Sequence, residues 1–155
     1  MYWNLFKMET TIKKVNQYDD PKEELYNFLS SKWHSNFNIN NDKLDQEHKV
    51  IIAQIKQMII DYSHGSEYFL YSSTKDELFR FIDNHLAIEE SILKNNNSKI
   101  LHEHKYEFQI FRNIKSIQFK SDFDIIIFIL KWFNDHLMNQ IKNKDQYKPK
   151  PTNRV

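Results

Sequence analysis

One glycine in 155 residues, Gly65, constrains this chain more than any other feature. Tight hairpins need residues that accept positive φ, and a single glycine with three prolines supplies too little turn chemistry for an all-β sandwich. The sequence carries helical periodicity instead, with apolar residues three and four apart over four long segments. The first runs from about Asp45 to Ser63 and aligns Val50, Ile51, Ile55, Met58 and Ile59. The second, from about Thr74 to Leu93, uses Leu78, Phe81, Ile82, His85, Ile88, Glu89 and Ile92. The third, from about Lys99 to Gln118, uses Leu101, His104, Phe108, Phe111, Ile114 and Ile117. The fourth, from about Asp122 to Lys142, runs through Phe123, Ile126, Ile127, Leu130, Phe133, His136, Leu137 and Ile141. Connections of roughly 4 to 10 residues between helices this long favour neighbours running in opposite directions. The spacing therefore predicts an all-α protein, an antiparallel up-down-up-down four-helix bundle.

Local signals punctuate that pattern. Ser73 with Asp76, and Ser121 with Asp124, read as N-caps with a carboxylate in the first turn. Gly65 and the run Asn95 to Asn97 read as breaks between helices. Asp20 before Pro21 is a helix start, and Leu25, Phe28 and Leu29 form an apolar face with which one short helix docks on the bundle. Pro149 and Pro151 prevent the last residues, YKPKPTNRV, from continuing a helix. Residues 1–30 are thus expected to be an N-terminal extension, for which Met8 offers an alternative start. Residues 31–147 form the helical domain, and 148–155 a flexible tail.

Several function classes fall away on composition. Lys plus Arg total 22 against 21 Asp plus Glu, a net charge of +1, so no strong field recruits nucleic acid or an acidic membrane surface. Without cysteine there is no disulfide framework, thiolate zinc site or thiol nucleophile. The start, MYWNLFKMETTIKK, lacks the apolar core of a signal peptide, and the longest apolar run, Ile125 to Leu130, is far shorter than a membrane span. These features predict a cytoplasmic protein. No Ser-His-Asp set or Gly-rich phosphate loop marks an enzyme, so no substrate turnover is expected.

The chemistry lies in the histidines. His48, His85, His104 and His136 fall on the apolar stripes of four different helices, and Glu89, four residues after His85, shares the His85 face. Burying so many polar groups in a small core is costly unless something binds them. Neutral imidazole with carboxylate suits iron, zinc, nickel or copper, and without thiolate an iron site is the natural choice. His34 and His64 lie near helix ends and His102 points away from the His104 face, so those three read as solvated.

From about Trp33 to Tyr147 the chain resembles a bacterial hemerythrin domain. Trp33, Phe37 and Ile39 followed by LDQEHK match the family's tryptophan, short loop and first histidine helix, with Asn40 where the family usually has glycine. HLAIEE, with His85, Glu89 and Glu90, matches the second motif, and WFNDH, with Trp132 and His136, matches the last. The intervals from Trp33 to Asp45 and from His85 to His104 fit without a gap. The resemblance implies two non-haem irons between four helices and reversible uptake of dioxygen, for storage, delivery or sensing. It implies that His48 and His85 ligate the oxygen-binding iron, that His104 and His136 ligate the other, and that Glu89 bridges them.

Two positions depart from the family. Phe108 stands where the third helix should carry a second histidine, and Ile141 where the second bridging carboxylate belongs. Neither side chain can coordinate, so less than two tightly held irons per chain are expected, with the His48 side filled first. Glu107, three after His104, and Gln140, four after His136, are conceivable substitutes, whereas Asp145 falls roughly on the opposite face. A competing reading is an interaction or structural bundle that kept the fold and lost useful metal chemistry and oxygen binding. A ferritin-like di-iron oxidase fits worse. Its Glu-x-x-His pattern is absent, since Asp45, Ile82, Leu101 and Phe133 precede the four histidines by three. No feature identifies a protein partner.

Overall fold

A computed structural model of the chain describes residues 21–64, 68–114 and 117–150. Among these the secondary structure is entirely helical. Five α-helices follow one another: α1 (Pro21–Ser30), α2 (Asp42–Ser63), α3 (Tyr68–Asn95), α4 (Leu101–Asn113) and α5 (Asp122–Lys142). Short 3-10 turns at Ser35–Phe37 and Lys144–Tyr147 flank the long helices. The expectations placed on residues 1–20, on Gly65 and on residues 151–155 lie outside the described residues. No helix among the described residues is long and apolar enough to cross a membrane.

Pro21 opens α1 because its ring presets a helical φ and its missing N–H is not needed at a first turn. Leu25 and Phe28 are buried and Leu29 packs partly beneath, so this short helix docks against α2 as its apolar face requires. The entry to α2 is more elaborate. Asn40 holds φ 63, a left-handed conformation that asparagine tolerates better than other residues with a Cβ. That reversal lets the Asn41 side chain cap the helix by accepting from Leu44 N at 3.3 Å. Helix α2 therefore starts at Asp42, one turn earlier than Asp45. Asp45 itself is buried and accepts from Ile39 N at 2.8 Å, which pins the preceding loop.

The Ser73 cap expected for the next helix does not form, since Ser73 lies inside α3, which begins at Tyr68. The serine signal is local, and continuation of the apolar stripe through Tyr71 outweighs it. Thr74 instead bonds the Asp61 carboxylate at 2.7 Å, joining α3 to the end of α2. At its other end α3 stops in a Schellman motif. Asn97 takes φ 50, Ser98 N donates to Leu93 O at 2.9 Å, and Asn97 N donates to Lys94 O at 3.1 Å.

Helix α4 ends at Asn113, short of the expected Gln118. Ile114 is the last apolar residue to reach the core, and Ile117, counted on the same stripe, is exposed. Ser121 caps α5 as its spacing predicts, accepting from Asp124 N at 3.2 Å.

The chain beyond α5 departs from a frayed tail. Tyr147 is only 1 % exposed. Asn96 Nδ2 donates to the carbonyls of Gln146 and Lys148 at 2.9 Å, and Asn41 Nδ2 donates to Tyr147 O at 2.9 Å. Polar side chains of the α2 entry and of the α3–α4 corner thus hold this segment in place.

The core divides in two. A large apolar cluster includes Ile51, Ile55, Leu78, Leu86, Phe108, Phe111, Phe133 and Leu137. A smaller one gathers Ile39, Leu44, Leu93, Ile100 and Tyr147. On α2 the polar position His48 falls between Leu44 and Ile51, and on α3 Glu89 falls between Leu86 and Leu93. His104 likewise follows Ile100 and precedes Phe108. A polar layer is therefore sandwiched between two apolar ones.

Candidate metal centre

Glu89 is the hub of that layer. It is fully buried, and its two carboxylate oxygens face different pairs of imidazoles. Oε1 lies 2.6 Å from His85 Nε2 and 3.5 Å from His48 Nε2. Oε2 lies 2.9 Å from His104 Nε2 and 3.3 Å from His136 Nε2. Four helices supply these five side chains, all of which are buried. One ligand atom each from His48, His85, Glu89 and His136 lies within 4.8 Å of the others, close enough to hold a metal ion. His104 stands outside that tightest group, on the far oxygen of Glu89.

The rings are fixed from outside. Glu47 Oε2 meets His85 Nδ1 at 2.7 Å, which turns His85 Nε2 toward Glu89. Glu107 Oε2 approaches His136 Nδ1 at 3.7 Å and is itself held by Asn139 Nδ2 at 3.2 Å. Trp132, one helical turn before His136, stacks on its ring at 5.1 Å with a 10° tilt. Trp33 stacks on His48 at 6.4 Å with a 26° tilt. A carboxylate on the outer nitrogen of an imidazole is the usual device for orienting a metal-ligating histidine.

Hydrogen bonding within the protein does not account for all these polar atoms. Neither ring nitrogen of His48 makes an aligned hydrogen bond, although the residue has no solvent exposure. His104 Nδ1 and Gln140 Oε1 are also buried without a partner. Native cores leave few such groups, because each orphan costs about 1–3 kcal/mol. The donor set, imidazole nitrogens around one carboxylate, suits a first-row transition metal.

The charges tell the same story. Burial lowers the His48 pKa to about 4, so this ring is neutral, the form that ligates metal. For His136, burial also acts to lower the pKa. The charge of Glu89, together with the nearby Glu107 carboxylate, outweighs it and holds the pKa up at about 9. His85 is raised in the same way, with the Glu89 charge and its bonds to Glu47 and Glu89 overcoming burial. Burial opposes the Glu89 charge, but the surrounding histidines pull its pKa well below the usual carboxylate range. The protonated His136 ring thus supplies positive charge beside the central carboxylate when no cation is there. A dication entering the layer would displace that proton.

All five predicted ligands converge, and the three histidines read as solvated are exposed: His34, which caps the turn at Ser35, His64 and His102. Phe108 is buried beside Arg112, whose guanidinium sits 3.9 Å from the ring centre, and Ile141 is half-buried. Of the conceivable substitutes, Gln140 reaches the centre and donates its amide to Glu89 Oε1. Glu107 reaches the outer edge of His136, and Asp145 is exposed and paired with Lys148 at 2.7 Å. Sequence reasoning missed Glu47 and Tyr147. Glu47 adjoins the candidate ligand His48, but neighbours on a helix point about 100° apart, so only the packing of α2 on α3 reveals its place beside His85. Tyr147 was hidden by the prolines that follow it. No protein-family model, characterised protein or solved structure matches the chain.

Proposed function

We propose that this is a hemerythrin-like, non-haem iron-binding protein with an incomplete di-iron site, serving oxygen storage, delivery or sensing. One observation carries the reading: a fully buried carboxylate whose two oxygens each face two imidazole nitrogens from different helices. A carboxylate bridging two ions needs that division. It pairs His48 with His85 and His104 with His136, as the family resemblance implies. The up-down-up-down arrangement is supported by the order in which the apolar clusters are met. The smaller cluster precedes the candidate ligand on α2, at Leu44, and at the N-cap of α4, Ile100, and follows it on α3, at Leu93.

His48, His85 and Glu89 would hold one ion firmly, and while that ion alone is bound His136 stands close enough to join them. His104 and His136 would serve a second, deprived of further ligands by Phe108 and Ile141. Iron(II), when bound by these residues, would supply the affinity for dioxygen. The protein's own residues supply the rest. Glu47 and Trp132 fix ring directions, the two apolar clusters exclude water, and His136 surrenders a proton to make room for the cation.

Iron(II) added under nitrogen, followed by admission of oxygen, tests the reading. A visible absorption change that reverses when oxygen is removed should appear only when iron exceeds one ion per chain. No oxygen-dependent change at any iron loading would leave metal binding standing and remove the oxygen role.

A further inference from the structure

Gln140 is the polar side chain of the centre left without a task by the five-ligand reading. It stands one turn after His136 on α5 and is 1 % exposed. Its amide NH2 donates to Glu89 Oε1, the oxygen that also faces His48 and His85. Its carbonyl oxygen is buried with no hydrogen-bond partner. An amide with one end satisfied and the other empty is a poor way to fill a core, because an apolar side chain of similar volume avoids the desolvation cost. Burial raises the pKa of the buried Tyr147 phenol, and the Gln140 side chain, as a hydrogen-bonding neighbour, acts against that rise.

A half-turn about the last side-chain bond exchanges the oxygen and the NH2 of a glutamine. That turn sets the oxygen where the NH2 now stands, beside Glu89 Oε1, the oxygen that His48 and His85 also face. A hydroxyl both donates and accepts, so Tyr147 serves either orientation: it accepts from the NH2 in one and donates to the oxygen in the other. A neutral amide oxygen is an acceptable ligand for a first-row dication alongside imidazole and carboxylate.

We propose that Gln140 is a metal ligand through its amide oxygen, completing the set of His48, His85, Glu89 and His136, with Tyr147 as the positioning residue that steadies it. The proposal rests on the metal reading above. In the metal-free protein the NH2 caps Glu89, and on metal entry the amide reverses. Gln140 then supplies, one residue earlier on α5, an oxygen in place of the one that Ile141 cannot give.

Cobalt(II) titration of the full chain, followed by visible absorption in competition with a chelator, tests this. Gln140→Leu should weaken cobalt binding by at least roughly tenfold and change the absorption envelope, because the coordination number falls. Gln140→Asn keeps the amide but draws it back by one methylene and should weaken binding similarly, which covers a failure of the leucine variant to fold. Gln140→Glu should bind more tightly than the parent with the parent's envelope. Tyr147→Phe should weaken binding by less than Gln140→Leu and leave the envelope intact. If Gln140 merely caps Glu89, Gln140→Leu and Gln140→Asn will bind cobalt as tightly as the parent or more so, with an unchanged spectrum, and the proposal is overturned. A parent protein that takes up no cobalt would instead overturn the metal reading itself.

Discussion

Glu89→Gln should abolish high-affinity metal binding while the helices persist. The substitution keeps size and shape but removes the one carboxylate that both imidazole pairs face. An ion entering the variant would meet neutral ligands in a buried layer, with no charge to offset its own. The expected loss in affinity is at least roughly 1000-fold, about 4 kcal/mol, measured by metal titration against a competing chelator. The metal-free variant should also be less stable, because His85 and His136 lose the charge that holds their pKa values up. At neutral pH these rings can shed their protons, so the stability loss should be about 2–4 kcal/mol, toward the lower end for breaking a buried ion pair. Far-ultraviolet circular dichroism of the variant should match the parent. Metal affinity within tenfold of the parent would show that Glu89 is not the hub.

The second large effect comes from repair. Phe108→His with Ile141→Asp should raise the number of tightly held ions from one to two, because the first adds a ligand on the third helix and the second restores the missing bridging carboxylate. Either change alone should gain less than half of the effect, since the groups act on one ion pair and their contributions are coupled. In metal-free form the double variant should lose about 2–5 kcal/mol, as a packed phenylalanine and a half-buried isoleucine give way to unpartnered polar groups. Removing Phe108 also frees Arg112 from its ring, 3.9 Å away. Arg112 stays tied to Asp83 at 3.2 Å and so should not enter the centre as a competing cation. Iron should restore much of the lost stability, by about 4 kcal/mol at a free concentration one thousand times the dissociation constant. Thermal melts with and without iron, beside metal analysis, measure both effects. An unchanged metal content in the double variant would mean that Phe108 and Ile141 are not lost ligand positions.

The five candidate ligands were legible because their spacing couples to helix geometry. Glu89 follows His85 by one turn, and each histidine interrupts an apolar stripe that has to face inward. Asn40 and Ser121 were legible for the same reason, as each meets a local backbone demand that few residue types satisfy. Features set by packing between segments were not. Ser73 carries a cap signal that the α3 stripe overrides, and Ile117 continues the arithmetic of α4 after the core has ended. Tyr147 is drawn inward by Asn41 and by the apolar cap of Ile39, Leu44, Leu93 and Ile100, residues remote from it in sequence. Glu47 and Gln140 matter only because other helices bring His85 and Glu89 beside them.

The central claim, that the polar layer exists to hold a metal ion, is tested most directly by counting metal in the unmodified protein. Protein saturated with iron(II) under nitrogen and then dialysed against a weak chelator should retain close to one ion per chain, and His48→Ala or Glu89→Gln should retain almost none. Two ions kept at full occupancy would contradict the incomplete site. Retention of no ion by the parent, with iron, cobalt or zinc, would contradict the metal centre altogether and leave the layer as a buried network of histidines around a carboxylate.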